Sequence, residues 1–94
     1  MKFYIVVFDR KPGAKYTEFH ETFVKHQAIT NWWHYIKSSY IIGTEMSENE
    51  LADHFTRSAE QHGLPKTHLV VRVVLGESQG RLVKDAWDWI QKNS

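Results

Sequence analysis

Apolar and polar positions alternate between two periods along this chain, and the switches between them outline its elements. Phe3-Tyr4-Ile5-Val6-Val7-Phe8 is an unbroken apolar run rich in β-branched and aromatic residues. Such a run predicts a strand covered on both faces, hence a central one. Asp9-Arg10-Lys11-Pro12-Gly13 ends it with turn-forming residues. Tyr16, Phe19, Phe23 and Val24 then recur at helical spacing, with Glu18 and Glu21 early and Lys25 and His26 late. That charge order suits a helix dipole and predicts a helix from about Tyr16 to Gln27. Asn31 opens an aromatic strand, Trp32 to Ile36. After Lys37-Ser38, Ser39-Tyr40-Ile41-Ile42 resumes extended structure and Gly43 stops it.

Ser47 and Glu50 form an S-x-x-E capping box just before Leu51. Leu51, Ala52, Phe55 and Ala59 give the helix an apolar stripe. Gly63, Leu64 and Pro65 supply a left-handed stop, a hydrophobic contact and a block to continuation. Leu69 to Leu75 reads as a second buried strand with one interior charge, Arg72, which needs a partner or an exposed edge. Beyond the loop from Gly76 to Gly80, Leu82, Val83, Ala86, Trp89 and Ile90 predict a last amphipathic helix. The order is β-α-β(β)-α-β-α. It predicts an α/β (α+β) sandwich of the ferredoxin-like βαββαβ type with an extra C-terminal helix, formed by residues 1–94 as a single domain.

Composition narrows the function. The 94 residues hold no cysteine, which excludes a disulfide scaffold, a thiol nucleophile and a thiolate zinc site. No apolar run approaches the roughly 18 residues of a membrane span. The expectation is a cytoplasmic protein without a membrane partner. With 12 Lys and Arg against 11 Asp and Glu, the net charge is +1. Bulk electrostatics therefore do not hold the chain to nucleic acid, and a nucleic-acid role needs a local basic patch. Neither glycine-rich phosphate fingerprint nor a G-x-S-x-G elbow is present.

Candidate chemistry gathers at two places. Asp9 lies where a central strand meets a loop, the position at which α/β folds hold ligands. It reads either as a divalent-metal carboxylate, completed by a second Asp9 in a symmetric dimer, or as a cap on the Pro12-Gly13 turn. Arg10, Lys11 and Lys15 flank it as phosphate contacts or as solvated turn residues. His34, inside Trp32-Trp33-His34-Tyr35, reads either as a general acid or base among base-stacking aromatics, or as a hydrogen-bonded histidine in a core and dimer-face patch. Strand alternation puts Trp32 and His34 on one face, Trp33 and Tyr35 on the other. His20, His26, His54, His62 and His68 lack metal-ligand spacing and are expected at the surface.

Three segments carry a resemblance: Tyr4 through Tyr16 with its Val-Val-Phe-Asp9-Arg-Lys-Pro-Gly13, Trp32 through Ile42 with its Ser38-Ser39 pair, and Leu69-Val70-Val71-Arg72-Val73. Together they resemble the SinR-like group of small bacterial and phage proteins. That group is in turn similar to the CRISPR-associated small adaptation subunit and to the virulence-associated protein D ribonucleases. The resemblance implies a ferredoxin-fold homodimer in which Asp9 binds Mg²⁺ or Mn²⁺ across the dimer. Asp9 and His34 are then the catalytic candidates, and Arg10, Lys11, Lys37 and Ser39 the contacts to RNA or DNA. Ser39 matches the relatives' serine at the start of the third strand. Lys37, Ile41 and Ile42 depart from their glutamine, aromatic and acidic residues. Two functions are therefore expected as alternatives. One is a divalent-metal-dependent nuclease or phosphodiesterase. The other is a non-catalytic homodimeric module that binds a protein or nucleic acid.

Overall fold

A computed structural model describes residues 1–94. Four strands form one antiparallel sheet in the order β2-β3-β1-β4: β1 (Lys2–Phe8), β2 (Ile29–Trp33), β3 (Ser39–Thr44) and β4 (His68–Arg72). Three helices accompany it: α1 (Thr17–Val24), α2 (Glu48–Gln61) and α3 (Lys84–Asn93). The chain is thus a mixed α+β protein. No helix is long and apolar enough to cross a membrane.

Strand β1 is central, as its unbroken apolar run predicts. Tyr4, Val6 and Phe8 are buried in one core with Phe19 and Phe23 of α1. Leu51, Phe55 and Ala59 of α2 complete that core. Phe3, Ile5 and Val7 alternate to the other face. There α3 supplies partial cover: Trp89 meets the Phe3 ring edge-on at 6.2 Å, and Asn31 of β2 hydrogen-bonds Asn93. Gly43 of β3 lies across from Phe3, and a Cβ there would stand 2.8 Å from the Phe3 ring. Only glycine leaves room for that ring.

Both ends of α2 follow the sequence. The Ser47 hydroxyl accepts from the Glu50 N–H at 3.2 Å, and the Glu50 carboxylate accepts from the Ser47 N–H at 3.0 Å. Gly63 takes φ +65°, and the Leu64 N–H donates to the Ala59 carbonyl at 2.9 Å. This is the Schellman closure, and it consumes carbonyls that the helix end leaves unpaired.

Three expectations shift. Helix α1 ends at Val24 rather than near Gln27. The His26 ring accepts from the Ala28 N–H at 3.0 Å, and the Ile29 N–H donates to the His26 carbonyl at 2.9 Å. A turn thereby captures donors that a longer helix would have used. Strand β2 runs from Ile29 to Trp33, not from Trp32 to Ile36, because Ile29 already pairs with Thr44 through a bulge before Asn31. Strand β4 is an edge strand rather than a second buried one, and Arg72 is exposed there. Leu69 and Val71 are 58% and 42% exposed. Beside them across the register lie Val7 and Ile5. The sheet's second face therefore carries an open apolar patch where α3 does not reach.

Candidate functional site

The side chains with the most chemistry in the chain converge at one edge of the first core, over β3 and against α1. Tyr40 of β3 is buried, as strand alternation with Val6 requires. Its hydroxyl is hydrogen-bonded to Nδ1 of His20 on α1 at 2.8 Å. The His34 ring, one residue past β2, stacks on the Tyr40 ring with centroids 4.0 Å apart. The two imidazoles lie 5.6 Å apart and 25° from parallel. Trp32 meets the His20 ring edge-on at 4.8 Å and is 41% exposed.

Cations border this stack. Arg10 lies over the Tyr16 ring at 4.1 Å and donates to the Lys37 carbonyl at 2.9 Å. The guanidinium is thus fixed on two sides, with further N–H groups left for a ligand. Arg10, Tyr16, Thr17, His20, Trp32, His34 and Lys37 line a shallow cleft of about 440 Å³. No lining residue is acidic.

The hydrogen bonds set the protonation pattern. Nε2 of His34 lies 3.1 Å from the Lys37 carbonyl. A carbonyl only accepts, so Nε2 carries the hydrogen and Nδ1 is left with its lone pair. Burial pulls the His34 pKa below the ordinary imidazole value. The Lys37 carbonyl opposes that shift, while the charges of His20 and Arg10 add to it. His34 is therefore a neutral imidazole near pH 7. Burial also pushes the Tyr40 phenol up, so Tyr40 keeps its proton.

Of the sequence candidates, Arg10, His34 and Lys37 come together in the cleft. Asp9 and Lys11 sit on the neighbouring loop, both exposed and outside the cleft lining. The Asp9 carboxylate does not cap the Pro12-Gly13 turn. The turn is held instead by the Ala14 N–H on the Lys11 carbonyl and by the Lys11 N–H on the Tyr16 hydroxyl. No three His, Asp or Glu side chains of the chain gather into a metal-holding group. A divalent ion at Asp9 would thus need ligands from a second chain, water or phosphate, and a single chain does not fit it. Ser39 is buried beside Val7.

Sequence reading missed His20 and Tyr40 as site residues and placed His20, His26, His54, His62 and His68 at the surface. All five histidines are partly buried. His54 donates from Nε2 to the Phe23 carbonyl at 2.8 Å, and its ring centroid is 4.5 Å from that of His26. Burial lowers the His54 pKa as well, against the opposing Phe23 carbonyl.

These two depressed histidines predict acid sensitivity. The unfolded chain takes up protons as pH falls below the ordinary imidazole pKa of about 6.5, while the folded chain resists. Their stabilising effect is full above that value and is lost as pH falls through the lowered folded pKa values. The denaturant midpoint should fall between pH 7 and pH 5. His54→Gln keeps a donor for Phe23 and should flatten part of that slope. A midpoint that holds level or rises over this range would contradict the assignment.

Comparison with known proteins returns no matching family model, curated protein or solved structure.

Proposed function

We propose that this chain is a small phosphodiesterase of the nuclease class, built on a ferredoxin-like frame and working at the cleft of Arg10, His20, His34 and Lys37, with Tyr40 buried beside the two histidines. One observation carries the reading: two imidazoles, one held neutral with a free ring nitrogen, stack on a buried phenol beside an arginine and a lysine. General acid-base chemistry needs a pair of titratable groups whose environments differ. Phosphate chemistry needs cations, with arginine suited to paired oxygens. Trp32 lines the cleft and is 41% exposed, an aromatic surface on which a base can stack.

The frame is supported by the β2-β3-β1-β4 order with antiparallel neighbours throughout, the arrangement expected of βαββαβ chains. It is also the frame that the SinR-like resemblance implies. The alternative reading is a homodimeric binding module. The apolar patch of Val7, Leu69 and Val71 favours it, since contiguous exposed apolar area marks interaction surfaces. In a metal-dependent form of the phosphodiesterase reading, two Asp9 carboxylates meet across a dimer and hold Mg²⁺ or Mn²⁺. Cleavage of RNA, DNA and cyclic nucleotides, assayed with and without these ions and with His20 and His34 replaced, separates the readings. Cleavage that depends on both histidines supports the phosphodiesterase. Absence of cleavage on every substrate supports the binding module.

A further inference from the structure

We propose, resting on the cleavage reading above, that the nucleophile at this cleft is the substrate's own hydroxyl, vicinal to the scissile phosphate. The cleft's substrate is then an unpaired ribonucleotide strand, and its product a cyclic phosphate.

The lining residues point to this chemistry. Attack by water on a phosphodiester calls for a group that orients and deprotonates that water, commonly a carboxylate or a metal held by carboxylates. The cleft is lined by Arg10, His20, His34 and Lys37 with aromatics, and by no carboxylate. It offers a base, an acid and cations. Internal displacement needs only these, because the nucleophile arrives already positioned by its covalent attachment.

The roles follow from the ring nitrogens. His34 has Nε2 committed to the Lys37 carbonyl, so Nδ1 is the basic atom. His20 has Nδ1 committed to the Tyr40 hydroxyl, so Nε2 is the nitrogen free to donate. The step requires one extra proton on the pair, carried by His20 as the acid, and two imidazoles this close disfavour a second one, which leaves His34 free to act as the base. In the step, the 2′-oxygen forms a bond to phosphorus and the bond from phosphorus to the 5′-oxygen breaks. The 2′-hydroxyl proton passes to Nδ1 of His34. A proton from Nε2 of His20 passes to the departing 5′-oxygen. Arg10 and Lys37 bind the non-bridging oxygens, where negative charge builds. No oxidant, reductant or second substrate is required, and proton exchange with solvent resets the pair. Tyr40 touches no reacting atom and is a positioning residue.

An unpaired strand is favoured because Trp32 is an exposed aromatic surface in the cleft, and a base must leave its own stack to use it.

The test uses the intact chain and four oligonucleotides of one sequence: all-ribose, all-deoxyribose, deoxyribose with a single ribonucleotide, and the same with that 2′-oxygen methylated. Reactions contain chelator, and fragments are weighed by mass spectrometry. The expected result is cleavage of the all-ribose strand and of the single-ribonucleotide strand, the latter only on the 3′ side of its ribose. The 5′ fragment should end in a cyclic phosphate, lighter by one water than the monoester. Methylation removes the nucleophile and should abolish cleavage at that ribose. Equal cleavage of the all-deoxyribose strand, or fragments bearing 5′-phosphates, would overturn this inference and leave the cleavage reading standing. No cleavage of any strand in chelator would overturn this inference, and no cleavage in parallel reactions supplied with Mg²⁺ or Mn²⁺ either would overturn both.

Discussion

His34→Ala and His20→Ala should each lower the rate of phosphodiester cleavage by about 10²–10⁴-fold, the range for losing a positioned general acid or base. The two losses should not add, because acid and base act in one step. His34→Gln is the sharper variant. Its amide can still donate to the Lys37 carbonyl, so the loop is retained while the basic nitrogen is lost. Folding should survive either change. The main packing loss in His34→Ala is the stack on Tyr40, about 1 kcal/mol by comparison with aromatic pairs. Tyr40→Phe gives a useful contrast. It keeps the ring under His34 and removes the hydroxyl that orients His20. Its rate should fall less than in either histidine variant, with a shifted pH profile. Steady-state cleavage and thermal melting on the same preparations check all of these. Full activity in His34→Gln would remove His34 as the base.

Phe55→Ala should destabilise the fold by about 4 kcal/mol, within the range for truncating a buried phenylalanine. Phe55 is fully buried at the centre of the aromatic core. Its ring lies 5.3 Å from Phe8, 5.1 Å from Phe19 and 5.5 Å from Phe23, and stacks on His68 at 4.3 Å. It therefore joins β1, α1, α2 and β4 through one side chain. Small domains hold only about 5–15 kcal/mol in total, so the variant should be largely unfolded in mild denaturant. Urea unfolding with matched m-values measures the difference. A loss below about 1 kcal/mol would mean that the core is not built around this ring.

The elements legible in the sequence were those fixed locally. Ser47 and Glu50 lie within one turn of each other, and Gly63 with Leu64 closes the same helix. Their bonds need no distant partner. Strand β1 was legible because both its faces are apolar. The same pattern misled at Leu69 to Leu75. There one face packs on the core, while Leu69 and Val71 point to an open patch. An apolar run reports hydrophobicity, not what covers it. The early end of α1 depended on a bond from the Ala28 N–H to a side chain, which periodicity does not register.

The site was half legible for a similar reason. Strand alternation placed Trp32 and His34 on one face, and both line the cleft. Arg10 and Lys37 stood out as charges beside turns. His20 did not stand out, because its partners Tyr40 and His34 lie on other elements and share no spacing with it. The available signal was faint: Tyr16, just before α1, and His20 within it are four residues apart, beside the buried Phe19 and Phe23.

Titrating the isotope-labelled protein with a nucleoside 3′-monophosphate, followed by NMR, would show where a phosphate-bearing nucleotide sits. The expected shifts are in the His20 and His34 ring signals, the Trp32 indole and the Arg10 side chain. Shifts confined to the apolar face of Val7, Leu69 and Val71, or none at saturating nucleotide, would contradict a phosphodiester site at this cleft.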